Sequence, residues 1–167
     1  MKPSLLLFSL LALAPALTVA GESNTQGQTY GELWIAVHVP LVPSSSWVSN
    51  DTAITFADLA AKALRSQGFK EKIGTLRPDD TGPARASVLL IQLSMWSARD
   101  GTAECAFTAS LRTDHGDREL GFFTGDNLIV TGDGKHQISS DGLAGSAQEA
   151  LTDLYGRIIA TGLLKAG

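Results

Sequence analysis

The chain has 167 residues, with 13 Lys and Arg against 17 Asp and Glu, one Cys, 44% hydrophobic residues and 18% charged ones. These values exclude a disulfide scaffold, a collagen-like chain, a highly charged disordered protein and a basic nucleic-acid binder. The acidic balance also argues against DNA, RNA or anionic lipid as a partner.

Residues 1–20 read as a secretory signal peptide. Lys2 precedes an apolar stretch from Leu5 to Leu17, and Thr18-Val19-Ala20 closes it, with cleavage expected near Ala20 and Gly21. The stretch is shorter than the roughly 20 residues that cross a bilayer, and Pro15 interrupts it. Cleavage without stable membrane insertion is therefore expected. No Cys adjoins the cleavage site, so attachment as a lipoprotein is not expected. Removing 20 of 167 residues leaves 147, enough for one domain with one core. Lys2 leaves with the signal, so 12 basic residues face 17 acidic ones, a net charge of −5. Cys105 has no second Cys to pair with, so stability must come from packing.

Behind the signal, residues 21–32 form a polar, Gly-containing lead-in. Residues 33–39 then read as a strand ended by Pro40, followed by a loop over 40–54. A helix is expected from an N-cap at Thr55, on the apolar repeat Phe56, Leu59, Ala60, Ala63 and Leu64, with Gly68 as its stop. Residues 69–76 allow a short strand, and Asp79–Pro83 is a turn or loop. Residues 86–98 and 103–113 are two strands joined by a hairpin at Asp100-Gly101. A turn at Asp114–Asp117 leads into a third strand over 118–125, and Leu128 to Val130 is expected either to extend it or to form a short extra strand. After a polar loop over 131–142, a helix is expected over 143–164, with Ala147, Leu151, Leu154, Tyr155 and Ile158 as its stripe. Gly145, Gly156 and Gly162 lower its propensity, so it needs the sheet to hold it.

This order describes an α+β domain over 33–167: one mixed, largely antiparallel sheet of four or five strands, with two helices on one face. Strict alternation puts Ile35, Val37, Val39, Leu89, Ile91, Leu93 and Met95 on the inner face, with Cys105, Phe107, Leu111, Leu120 and Phe122. It sends Trp34, Ala36, His38, Gln92, Ser94 and Trp96 outward, with Thr108, Ser110, Arg112 and Phe123.

The layout resembles small exported bacterial domains of envelope lipoproteins and assembly accessories, including curli-secretion-like domains and lipoprotein activators of peptidoglycan synthases. The matching features are the strand ending at Pro40, the helix Phe56–Gln67 closing with Gly68-Phe69, the paired strands across Arg99-Asp100-Gly101, the turn at Asp114–Asp117 and the last helix. The resemblance implies a non-catalytic envelope role.

No motif for catalysis is complete. Gly132-Asp133-Gly134-Lys135-His136 lacks the earlier Gly of a phosphate loop, where Ile129 stands, and the Ser or Thr after its Lys. Asp126, Asp133 and Asp141 lack calcium-loop spacing. Cys105 falls on the inner face as a packed thiol, and His38, His115 and His136 suggest no zinc set. No nucleophile elbow or His-Glu-x-x-His helix occurs, and Asp79-Asp80 stands in a loop without a second group. No cofactor and no metal are expected.

The outward aromatics are the informative feature. Trp34, His38, Gln92, Trp96 and Phe123 are expected to form a partner-binding surface among small polar side chains. The competing expectation is that residues 40–54, with Trp47, fold over this face and bury it. The expected function is a non-enzymatic periplasmic or secreted accessory that binds another envelope protein through an open sheet face or an edge strand. A small-ligand or glycan binder using the same aromatics is the alternative, and an enzyme with a loop-borne carboxylate site is the third.

Overall fold

Leu33, Ile35 and Val37 are buried and alternate with more exposed neighbours, the period-2 pattern of a strand with one covered face. In the computed structural model, which describes residues 32–40, 46–70, 72–78, 80–83, 86–128 and 140–161, they lie on β1 (Glu32–His38). The side chains of 46–50, 99 and 140 are outside that description. So are the expected signal peptide, the lead-in up to residue 31, the Gly132–His136 motif and the end of the last helix. The elements after β1 are α1 (Ser46–Ser66), β2 (Lys72–Leu76), β3 (Ser87–Arg99), β4 (Thr102–Thr113), β5 (Gly116–Leu128) and α2 (Ser140–Ala160).

The five strands form one sheet in the order β2-β1-β3-β4-β5. β1 is parallel to both β2 and β3, and β3-β4-β5 is antiparallel. The fold is the expected α+β arrangement, with a mixed sheet. Helix α1 packs on β1 and β2, α2 on β3, β4 and β5, and the helices touch each other. Phe56, Leu64, Leu151, Leu154 and Ile158 are fully buried beside Leu33, Ile35, Leu89, Ile91, Phe107 and Leu111. Each such side chain contributes roughly 1.5–3 kcal/mol by leaving water.

Helix α1 starts nine residues before the expected cap. Thr55 is inside it, and its hydroxyl donates to the Asp51 carbonyl one turn back at 2.8 Å, so the polar stretch before it is helix rather than loop. Of the expected flap over 40–54, residues 46–54 are helix with Ala53 in the core, whereas 41–45 and the Trp47 side chain lie outside the described residues. The stop at Gly68 has a clear mechanism. Gly68 has φ +95°, its N–H bonds the Arg65 carbonyl and the Phe69 N–H bonds the Leu64 carbonyl, both at 3.1 Å. This is a Schellman closure, with Phe69 buried behind it. α2 starts at Ser140 rather than Leu143, with Asp141 in its first turn, where a negative charge suits the helix dipole.

Two β-bulges change the faces of the sheet. In β3, Leu93 pairs with Phe107 and Met95 with Ala106, which leaves Ser94 as the extra residue. Ser94 and Met95 both face outward, so Trp96 turns inward, against the alternation that sent it out. In β5, Ala109 pairs with Gly121 and Ser110 with Glu119, leaving Leu120 extra. Gly121 takes φ +122°, a conformation that glycine adopts without side-chain strain. Beyond it Phe123 is buried and Phe122 is 62% exposed, the reverse of the expected pair. A bulge adds one residue to one strand and so inverts the phase of everything after it.

Candidate functional site

Both helices cover one face of the sheet, and the other face carries the candidate site. Ala36 and His38 on β1, Leu90 and Gln92 on β3, and Thr108 and Ser110 on β4 form the floor of a groove of about 660 Å³. His38 pairs with Gln92 and Gln92 with Thr108, so the three stand in one row across the strands.

The wall comes from the connection between β2 and β3. Both strands run parallel to β1 on opposite sides of it, so the chain over 77–86 must cross β1. Gly82 meets Leu76 and Val88, each about 7% exposed or less, in a small apolar cluster outside the main core. Asp80 is fixed at the rim: its Oδ2 accepts the Arg77 N–H at 3.1 Å, and its own N–H donates to the Arg77 carbonyl at 3.0 Å. Pro78, Asp117 and Glu119 complete the wall. Arg112 Nε donates to Asp117 Oδ1 at 3.1 Å.

Of the residues expected to bind a partner, His38 and Gln92 line this groove. Trp34 is on the same face but beside the groove, at the β2 side. Its ring lies on Gly74, where a Cβ would stand 2.6 Å from the indole. Its Nε1 donates to Glu32 Oε2 at 3.2 Å, and Lys72 Nζ, 2.7 Å from Glu32 Oε1, stands 6.0 Å from the ring centroid. The Lys72 ammonium and the Trp34 N–H together hold the Glu32 carboxyl below its usual range.

Trp96 and Phe123 are on the helix side. Trp96 is half-buried, with its ring 5.2 Å from Phe56 in an edge-to-face contact and its Nε1 donating to the Leu143 carbonyl of α2 at 2.9 Å. Phe123 stacks on Phe107 at 5.5 Å. The outward apolar side chains that replace them are Met95 and Phe122, 41% and 62% exposed. Gly121 inside the β5 pattern was a readable bulge signal. Nothing comparable marks Ser94.

Among the described residues, the groups capable of chemistry are dispersed. Cys105 is buried, and burial pushes its thiol up to about 12, so the nucleophilic thiolate is disfavoured. His115 is in the exposed β4–β5 turn, 3.6 Å from Asp114. Asp126 is on β5 and Asp141 on α2. Among the described residues no group of three or more His, Cys, Asp or Glu is placed to hold a metal, and no helix is long and apolar enough to cross a membrane.

No family model matches this chain, and no curated protein matches it. Similar solved structures include a PelC dodecamer from Paraburkholderia phytofirmans, 16% identical with a TM-score of 0.49, covering 75% of this chain and 88% of that one. A minor lipoprotein from Acinetobacter baumannii is 12% identical with a TM-score of 0.45, over 84% of this chain and 100% of that one. Protein XCC0632 from Xanthomonas campestris is 11% identical with a TM-score of 0.43, over 79% and 83%. The similar structures are thus bacterial and include lipoproteins, without singling out curli-secretion or peptidoglycan-synthase-activator domains. Similarity at this level assigns neither family nor activity.

Proposed function

We propose that this chain is an exported, non-enzymatic accessory domain that binds another envelope protein across the face of its sheet opposite α1 and α2. The observation that carries this reading is the groove of about 660 Å³ on that face, floored by Ala36, His38, Leu90, Gln92, Thr108 and Ser110. Ala36 and Leu90 give apolar contact area, and His38, Gln92, Thr108 and Ser110 can pair with polar groups of a partner. The outward aromatics Trp34 and Phe122 flank it and supply anchors of the kind that dominate interface energetics. Beside it β5 is an edge strand of the sheet among the described residues; Glu149 takes the Asp126 N–H on that edge, and the rest of the strand offers a place for strand addition. Export rests on Lys2, the apolar stretch and Thr18-Val19-Ala20.

The test places a photo-crosslinking amino acid at Thr108 on the groove floor, and in a parallel protein at Thr152 on the exposed side of α2. In living cells the Thr108 position is expected to give one discrete adduct with an envelope protein, and the Thr152 position none. Adducts from Thr152 alone would move the interface to the helices and refute the reading. One observation favours a second reading, a small-ligand or glycan binder: the groove volume falls within the few-hundred to thousand Å³ of small-molecule sites. A dialysable compound that co-purifies with the exported protein and blocks the Thr108 adduct would select it.

A further inference from the structure

The outer face has an acidic cluster at each end and an apolar middle. At the groove end stand Asp80, Asp117 and Glu119, and no Lys or Arg lines the groove among the described residues. Arg112 answers Asp117, and among the described residues no ion pair joins Asp80 or Glu119. At the other end Glu104 on β4 and Asp126 on β5 are direct register partners. Both are exposed and face outward, since Cys105 and Gly125 beside them face the core. Like charges directly opposite across a sheet are destabilising. At the sheet edge beside this pair, Glu149 of α2 accepts the Asp126 N–H with its Oε2 at 2.9 Å. Between the two ends, Met95 and Phe122 are exposed.

The spacing can be worked out from the strand. Glu119 and Asp126 are seven residues apart on β5, one of them taken up by the bulge at Leu120, so the ends lie about 20 Å apart at roughly 3.3 Å per residue. An extended heptapeptide spans the same distance, with its first, third, fifth and seventh side chains on one side. We infer that the outer face receives an extended basic segment of the partner protein, with Lys or Arg at both ends of a heptad-length stretch and apolar side chains between them that rest on Phe122 and Met95. This rests on the reading of that face as the partner-binding surface and names the chemistry of the partner. The Glu104–Asp126 repulsion is then a cost of the free protein that binding relieves.

The probe is the blocked peptide Lys-Ser-Leu-Ser-Leu-Ser-Lys, followed by fluorescence anisotropy against the mature protein. It is expected to bind. Glu119→Gln at one end and the pair Glu104→Gln with Asp126→Asn at the other should each weaken it about fivefold or more, with Asp153→Asn on the exposed side of α2 leaving it unchanged. Raising salt from about 0.05 to about 0.5 M should weaken it as the screening length falls to a few Å. Glu104→Gln should also raise the melting temperature of the free protein while it weakens the peptide, a combination that a merely structural role would not give. The inference is overturned by an equal affinity for the Glu-ended analogue, by an equal loss with Asp153→Asn, or by spermidine binding as tightly as the peptide. Absence of peptide binding also overturns it. A Thr108 adduct combined with no peptide binding would retain the face and remove the basic segment, whereas loss of both would remove the face as well.

Discussion

Trp96→Ala separates the bulged sheet from the regularly alternating one. The indole makes an edge-to-face contact with Phe56 at 5.2 Å and a 2.9 Å hydrogen bond to the Leu143 carbonyl in the first turn of α2. Truncating a buried Trp costs about 3–5 kcal/mol, and half-burial of this ring places the expected loss near the lower bound, about 3 kcal/mol. Trp96→Phe keeps most of the ring packing and removes only the donor, which should cost about 1 kcal/mol. Urea unfolding at neutral pH measures both, and an unchanged m-value would show that the unfolded state is not the cause. The melting temperature of Trp96→Ala should fall by about 10 °C. A loss under about 0.5 kcal/mol for Trp96→Ala would put the side chain in solvent and refute the bulge at Ser94.

The β5 bulge is checked by the neighbouring pair: Phe123→Ser should cost about 3 kcal/mol and Phe122→Ser less than about 0.5, read by the same unfolding curves. Equal costs would contradict the register. Gly125→Ala should be severely destabilising, by about 2 kcal/mol or more, because the new Cβ falls on the Ser146 carbonyl oxygen and 2.9 Å from the Ala150 nitrogen, both backbone atoms of α2. Cys105, with its folded value pushed up from 9.0 to about 12, favours the fold fully while the unfolded thiol is also protonated. Its contribution should disappear progressively as pH rises from about 9 toward 12. Cys105→Ala should flatten that limb of the pH–stability curve, and a thiol reagent at pH 8 should label the native protein only as fast as it unfolds.

How far the sequence could be read depends on whether a signal is local. β1, the hairpin at Asp100-Gly101, the turn at Asp114–Asp117 and the stop at Gly68 were legible, because alternation, turn chemistry and a C-terminal glycine act over a few residues. The first turns of α1 were not: a run of Ser, Asn, Asp and Thr favours caps and loops intrinsically, and only the burial of Ala53 and Phe56 in the core, with Phe56 against Trp96 and Phe107, commits it to helix. The inner positions Leu89, Ile91, Leu93, Cys105, Phe107 and Leu111 were assigned correctly up to the bulges, and inversely after them at Met95, Trp96, Phe122 and Phe123. A bulge is fixed by the partner strand and the helix above it. The Leu143 carbonyl that holds Trp96 is 47 residues away, so no window of sequence around Ser94 contains it. His38 on β1 and Gln92 before the β3 bulge face outward, as alternation placed them, and line the groove.

If the face opposite α1 and α2 engages the proposed partner, filling its groove abolishes that engagement. Thr108 stands on the floor, exposed, in register between Gln92 and Phe122, so Thr108→Trp occupies the groove with little effect on the core. Capture of the envelope protein cross-linked from Thr108 is expected to fall at least tenfold with Thr108→Trp, at an unchanged melting temperature, and to stay at the wild-type level with Thr152→Trp on α2. Full capture by a folded Thr108→Trp protein would contradict the account.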